Sequence, residues 1–217
     1  MIGIDWLSSP RGRRQLAIAL GAVVLVALAG AGIWAWSSAY EARGRQALAD
    51  AAQALQQSQA PNAPPEARER AIKALEAVLA EYPRLSALPE VAYRLGNLRY
   101  ASGQFAEARG AYEVALAKGA TGAVKALSAV SIGYTWEALK DYARAEDAYR
   151  KAASSLGARD FLLEDLLLDE ARVQEAAGKH DAAVETYRRL LKAMPDSRRA
   201  EEIRMRLAAI QAAPRAK

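Results

Sequence analysis

The only histidine of the chain, His180, lies in the stretch GKHDAAVETYRRLLKAMP, close to Asp181, Glu185 and Tyr187. An imidazole beside carboxylates and a phenol is material for general acid–base catalysis or for a metal site. Either chemistry needs more than this. A nucleophile must be held by its base, and a metal must find three or four ligands, yet the chain has no cysteine and no second histidine. A second candidate is EDLLLDE, where Asp165 and Asp169 stand four residues apart and fall on one helix face, a spacing that suits a cation. Acids near a helix start, here Glu164 and Asp165, are already favoured by the helix dipole, and that simpler reading is adopted. The sequence contains no glycine-rich phosphate loop, nucleophile elbow or metal-ligand spacing. It therefore nominates no catalytic residue, metal or cofactor, and the expectation is a protein that is not an enzyme.

The stretch around His180 is one of a series. SGQFAEARGAYEVALAKGA begins at Ser102, LKDYARAEDAYRKAASSLG at Leu139 and AGKHDAAVETYRRLLKAMP at Ala177. In register they place Phe105, Tyr142 and His180; then Ala108, Ala145 and Ala183; then Tyr112, Tyr149 and Tyr187, at intervals of 37 and 38 residues. A catalytic motif occurs once, whereas a scaffold module recurs at a fixed period. Each unit has a first half as well, with Gly96, Gly133 and Ala171 twelve residues before the recurring alanine. Small residues at these points allow two antiparallel helices to approach closely, and the large residues four later fill the space between hairpins.

This pattern resembles the tetratricopeptide repeat: small at the eighth and twentieth positions, aromatic at the twenty-fourth, and a breaker at the thirty-second, here Ala120, Gly157 and Pro195. An earlier copy, ERAIKALEAVLAEYP, ends in Pro83 with Ala71 and Leu75 in register. Two departures stand out. The large aromatic usual at the fourth position is replaced by Ala92 and Ala129, and the period exceeds the family's roughly 34 residues. The resemblance implies an all-α solenoid of antiparallel hairpins, in which His180 takes the packing place of Phe105 and Tyr142. It also implies a concave groove lined by the second, fifth, ninth and twelfth positions of each repeat. Those are Glu90, Tyr93, Asn97 and Tyr100; Leu127, Val130, Tyr134 and Glu137; and Asp165, Leu168, Arg172 and Glu175. The basic clamp with which some family members grip carboxylates is matched only at Asn97. Tyr93 replaces a lysine there, and Asp165 and Asp169 stand where basic residues belong. The groove is expected to offer tyrosines and aliphatic residues rimmed by acids, suited to apolar or basic segments, including unfolded chains.

The other end of the chain bears on where such a scaffold works. No charge occurs from Gln15 to Tyr40, and residues 16–36 form a run of 21 dominated by apolar side chains. At about 1.5 Å per residue this is roughly 31 Å of helix, the thickness of a bilayer's hydrocarbon core. Trp34, Trp36 and Tyr40 at one end and Trp6 before the other suit headgroup regions. Arg11, Arg13 and Arg14 precede the run against Asp5, and Arg43, Arg45 and Glu41 follow it, a bias that places the N-terminus in the cytoplasm and the bulk of the chain outside. A cleaved signal peptide, with Ser37 and Ala39 before the cut, is the rival reading. The length of the run and the bulk of Trp34 and Trp36 favour an uncleaved anchor. Without cysteine there is neither a lipid attachment site nor a disulfide, so an exported domain here relies on packing.

The expected layout is a short cytoplasmic segment (1–15), a transmembrane helix (16–36), a membrane-proximal helix and Pro-rich linker (37–65), and a repeat domain (66–217). Within the last, helices are expected at 88–102, 104–118, 122–139, 142–156, 160–177, 180–193 and 197–211. They are preceded by one with Ile72, Leu75, Leu79 and Tyr82 on its buried stripe, and the final helix closes the core from a cap at Asp196 or Ser197. Hydrophobic residues make up 52% of the chain but aromatics only 7%, which fits thin helix pairs better than a wide core. The net charge of +5 is spread over a mixed surface, and the densest basic cluster (Arg198, Arg199, Arg204, Arg206) is interrupted by Glu201 and Glu202, which argues against nucleic acid.

One N-terminal anchor followed by an exported repeat domain resembles the bacterial ancillary subunit of the Sec translocon. That resemblance implies an inner-membrane, single-pass protein whose periplasmic domain works with translocon subunits, periplasmic chaperones and exported clients. The alternative is an inner-membrane adaptor for envelope assembly or cell division that binds one dedicated folded partner. Pairing of two copies through the edges of the solenoid stays open.

Overall fold

The computed structural model describes residues 10–157, 160 and 162–212. Among these residues there are nine α-helices and no strands. The residues before Pro10, including Asp5 and Trp6, lie outside this description, as does Phe161 in the segment where the sequence predicts a helix start at 160. The chain divides into two compact units between Ala47 and Leu48, inside the first helix.

The first unit is the leading part of α1 (Pro10–Ser58), a single uninterrupted helix of 49 residues. Its apolar stretch has a mean hydropathy of 2.6 and none of it is buried, so by length and composition it is able to cross a membrane. Val26 and Trp34 are each 73% exposed. Trp36 stacks on Tyr40, with ring centroids 5.8 Å apart.

The second unit runs from the end of α1 through eight further helices. Pro65 opens α2 (Pro65–Glu81) and Pro89 sits in the first turn of α3 (Leu88–Ala101), where a missing N–H costs nothing. Three hairpins follow in series. They are α3 with α4 (Phe105–Ala117), α5 (Gly122–Ala138) with α6 (Tyr142–Ser154), and α7 (Leu163–Ala176) with α8 (His180–Ala193). The helix α9 (Ala200–Ala212) comes last. Each hairpin turn closes in the same way, by a backbone bond spanning five residues: Gln104 N–H to the Arg99 carbonyl, Asp141 to Trp136, and Lys179 to Gln174. This closure needs one left-handed residue. Gly103 (φ 75°) and Gly178 (φ 72°) supply it in the outer copies, but Lys140 (φ 60°) does so in the middle one.

Within a hairpin the fit is set by a ring on a glycine. The Tyr112 ring lies so close to Gly96 that an added Cβ would sit 2.4 Å from it, and Tyr149 lies the same way on Gly133, at 2.3 Å. Both rings are essentially fully buried, as is Tyr187 beside Ala171 in the third copy. Around them Ala108, Ala145 and Ala183 are each 0% exposed, which is what lets paired helices approach. Between hairpins the core continues through Val130, Leu166 and Val173, then through Leu167, Leu190 and Ile203 of α9, with Leu207 and Ile210 packed against them. The last helix therefore closes the core as expected.

Local details differ from the sequence reading. On α2 the buried stripe is Ala71, Ile72, Leu75 and Val78, while Leu79 and Tyr82 are half-buried. The stripe keeps Ile72 and Leu75 and, three residues on, takes Val78 instead of Leu79. His180 is exposed at the start of α8, whereas Phe105 and Tyr142 are half-buried. Its polar ring does not take over their packing. Helix α9 begins at Ala200 rather than 197; Ser197 uses its hydroxyl to accept the Arg199 N–H at 3.0 Å.

Glycine to alanine inside a helix normally stabilises by about 0.5–1 kcal/mol. Gly110 in α4 has open space where the methyl would go, so G110A is expected to raise the denaturant midpoint. G96A and G133A are expected to lower it, by about 1–3 kcal/mol of overpacking against the tyrosine ring. Chemical denaturation of the three variants checks this, and equal signs for all of them would rule out the ring-on-glycine packing.

Candidate protein-binding face

The helices α3, α5 and α7 each carry four of the residues expected to line a groove, and polar contacts join the latter two across the hairpin boundary. Tyr134 of α5 donates to the Asp169 carboxylate of α7 at 2.9 Å. Arg172 of α7 forks onto Glu137 of α5 through both terminal nitrogens, one at 2.9 Å, and also donates to Asp169 at 2.8 Å. Tyr149 donates to the same Glu137 from behind, at 2.9 Å. Tyr134, Glu137, Asp169 and Arg172 thus form one hydrogen-bonded seam in which a single cation serves two carboxylates. At the far end Arg199 pairs with Asp165 at 2.6 Å, and Glu175 accepts from Tyr187 at 2.5 Å with Arg206 3.7 Å away. Glu164 accepts from the Ser197 hydroxyl at 2.7 Å. The α5 and α7 acids of the rim read from the sequence are therefore partnered within the chain, by three arginines and by hydroxyl donors.

The α3 section differs. Glu90, Asn97 and Tyr100 are exposed and Tyr93 is half-buried. Asn97 accepts a hydrogen bond from Tyr112 at 2.8 Å, the Tyr93 ring lies 5.9 Å from that of Tyr112, and Tyr100 meets Phe105 edge-on at 5.2 Å. On the other helices Leu127 and Leu168 are half-buried. Val130 is only 5% exposed and packs in the core, because its position on α5 faces α6 and α7. It supports the face from below.

The pKa directions follow from this packing. Burial pushes the Tyr112 phenol up to about 12. Burial, reinforced by the neighbouring carboxylate, also raises Tyr134 (beside Asp169) and Tyr187 (beside Glu175), while Tyr149 is raised chiefly by burial. These phenols stay protonated and act as donors. Asp169 is raised chiefly by burial, against the hydrogen bond from Tyr134, which lowers it.

A second network ties α6, α7 and α8 together. Glu146 is 7% exposed and Glu170 is 2% exposed. Glu146 accepts from Arg150, from Lys179 at 2.7 Å and from Gln174 at 3.0 Å, and Gln174 in turn accepts from Thr186 at 2.9 Å. Glu170 is held by Arg150 at 3.3 Å and Arg189 at 2.5 Å. Burial works to raise the Glu146 carboxyl, but the hydrogen bonds and positive charges of Lys179, Gln174 and Arg150 outweigh it and the net direction is down. On α5, the Trp136 ring carries two guanidinium groups over it, Arg109 at 3.8 Å and Arg144 at 4.5 Å from its centroid. Sequence spacing pointed to none of these partners. The signal was present for the seam: its pairs Tyr134–Asp169, Glu137–Arg172 and Asp165–Arg199 are 34 or 35 residues apart, close to one repeat. Among the described residues no group of His, Asp and Glu is arranged to hold a metal ion.

Residues 165–197 match the tetratricopeptide repeat family model. The solved structures similar to this chain include the MamA protein, at 19% identity and a TM-score of 0.50, covering 66% of this chain and 79% of that one. They also include the nearly identical TPR-like repeats of a putative kinesin light chain from Podosopora anserina. These align at 18% identity and a TM-score of 0.51, covering 79% of this chain and 96% of that one. A single-site variant of the same repeats aligns at 18% identity and a TM-score of 0.52, covering 80% of this chain and 96% of that one. No curated protein matches the chain. At such identities the likeness is one of fold, and with the repeat match it makes the second unit a tetratricopeptide-like α-solenoid.

Glu146 and Asp169 shift in opposite directions, so acid acts on them oppositely. With its folded pKa below the ordinary 4.5, Glu146 contributes stability that is present above that value and lost as pH falls through the folded one. Asp169, raised, favours the folded state when protonated and loses that contribution as pH rises through its folded pKa. Denaturant midpoints measured from about pH 6 to 3 are expected to fall less steeply in E146Q than in the parent chain, and more steeply in D169N.

Proposed function

We propose that the protein is a membrane-anchored scaffold for protein–protein interaction in the bacterial envelope, with no catalytic role. The observation that carries this reading is the α3 section of the inner-helix face, where Asn97 and Tyr100 are exposed and Tyr93 is half-buried, followed along the series by the hydrogen-bonded seam of α5 and α7. A face so arranged suits an extended segment that lays apolar and hydrogen-bonding groups along it, because little side-chain order remains to be lost on binding. Leu168, Arg172, Glu175, Glu137 and Tyr134 are proposed to frame that segment, with Glu90 at its entrance.

The exposed apolar stretch of α1 supports anchoring. A contiguous surface of this size, with Leu25 69% and Ile33 68% exposed, requires a hydrocarbon environment or a protein cover. The arginines flanking it favour a cytoplasmic N-terminus and an exported, periplasmic repeat unit. In the reading we favour, the anchor lies beside the Sec translocon and the repeats work with periplasmic chaperones on exported chains. A second reading, a dedicated adaptor for envelope assembly or cell division, rests on the pairing of several groove acids within the chain, which fits a selective surface better than a general sink for basic chains.

A photoreactive amino acid at Leu25 and another at Tyr100, introduced one at a time in intact cells, separates the two. Translocon subunits captured at Leu25 with many exported chains at Tyr100 are expected for the first reading; a single repeated folded partner at both is expected for the second. Capture of lipid alone at Leu25 and nothing at Tyr100 would remove the scaffold assignment.

A further inference from the structure

The charges of the inner face are unevenly compensated. From α5 onward each acid of the seam has a cation: Glu137 and Asp169 share Arg172, Asp165 has Arg199, and Glu175 has Arg206. At the α3 end the imbalance has the opposite sign. A hollow of about 460 Å³ lies between the end of α1, the start of α2 and α3, lined by Leu55, Ser58, Arg68, Arg94, Asn97 and Leu98 among others, and no carboxylate of the described residues lines it. Arg68 uses one terminal nitrogen to donate to the Ala101 carbonyl at 3.3 Å, which fixes the side chain but leaves its charge unpaired. Arg94 has no hydrogen bond or ion pair among the described residues. The nearest acids in sequence are otherwise placed: Glu90, one turn before Arg94, does not line the hollow, and Glu69, which lines the adjoining hollow, pairs with Lys73 at 3.8 Å.

Two guanidinium groups, an amide and a hydroxyl around a partly apolar floor have a definite chemical preference. The fork of Arg94 matches the edge of a planar carboxylate, which accepts two parallel N–H bonds from it, and Arg68, with one terminal nitrogen on Ala101, has further N–H groups for a single charge-assisted bond. Asn97 already accepts from Tyr112 through its oxygen, so its amide nitrogen is left as a donor. The floor of Leu55, Leu98 and Ala101 accommodates the methylene groups of an acidic side chain. Cations without a counter-charge in a concave site are the electrostatic complement of an anion, and here the complement is not supplied by the chain.

We infer that this hollow is an anchoring subsite for an acidic residue of the protein segment bound on the inner face, with Arg94 and Arg68 holding its carboxylate. The subsite rests on the groove reading proposed above and refines it: the segment is not simply apolar or basic but carries an acid at the end that lies over α3. Continuity of the hollow with Asn97, itself a groove residue, favours a peptide carboxylate over the phosphate of a lipid headgroup.

The full chain in detergent micelles, presented to an array of random twelve-residue peptides, tests the proposal when parent, R94Q and R94E are compared. The expected result is that the parent binds peptides enriched in Asp or Glu at one position. R94Q is expected to bind them about tenfold more weakly, the scale of one lost charge-assisted contact, and R94E to lose the enrichment or turn it toward Lys. All three are expected to keep the same helical circular dichroism and denaturant midpoint, because Arg94 is exposed. Peptide binding by the parent without acidic enrichment, or enrichment unchanged in R94E, would overturn the subsite while leaving the groove reading standing. Absence of any peptide binding would overturn both. Vesicles of phosphatidylcholine with and without phosphatidylglycerol complete the test: Arg94-dependent binding to the anionic vesicles, with no acidic peptide preference, would assign the cations to lipid instead.

Discussion

The contact of a tyrosine ring with a bare helix backbone sets the spacing on which the rest of this fold depends. At Gly96 and Gly133 the ring of Tyr112 or Tyr149 occupies the volume that a methyl group would need. A tyrosine buried there brings a large apolar area out of water and so supplies much of what the alanine-rich helices cannot. Its hydroxyl must then find an acceptor, since a buried phenol without one is costly. The acceptor is always on the inner helix: Asn97, Glu137 or Glu175. One packing decision thus fixes both the separation of the two helices and the orientation of a polar residue on the inner face.

That coupling explains why the inner face is so ordered between α5 and α7. Glu137, oriented from behind by Tyr149, is in position to receive Arg172, and Arg172 in turn reaches Asp169, which accepts from Tyr134. Each group serves two neighbours. Such networks contribute little net stability when exposed, as the half-exposed Arg172 indicates, but they restrict conformations and exclude competing arrangements. The chain has no disulfide to do this. In a solenoid, where each unit contacts only its neighbours, order has to be handed from one hairpin to the next, and side-chain links between adjacent hairpins are the available means.

Much of the fold was legible in the sequence because its period is carried by residues with steric reasons to be small or large. The alanines, glycines and tyrosines recur in register, and helix boundaries fell within about three residues of the expected ones, inside the usual uncertainty of helix ends. The face itself was only half legible. Positions on α3, α5 and α7 could be assigned by analogy, but whether an acid is free or paired depends on what stands one repeat further on, and Arg199 and Arg206 lie in segments that looked like a mere cap. His180 shows the same limit from the other side. Its register predicted burial beside Phe105 and Tyr142, yet a polar ring at a helix start gains more from water than from packing. Lys140 was invisible for a different reason, because a left-handed turn residue is recognised by glycine, and the middle repeat uses lysine.

The unevenness of charge along the inner face follows from the series itself. A compensating arginine for each repeat comes from the next unit along: Arg172 serves Glu137, and Arg199 serves Asp165. At the first full hairpin the pattern runs out in the other direction. Position nine there is Asn97 and position twelve is Tyr100, which offer a following arginine no charge at the places where Glu137 meets Arg172, and Arg68 and Arg94 arrive from α2 and α3 without ion-pair partners among the described residues. An unfilled charge at the beginning of a chain of filled ones is the point at which an external group binds with the least displacement of internal bonds. Affinity there does not require breaking the seam, and the rigidity of the seam lowers the ordering cost of whatever segment extends from it.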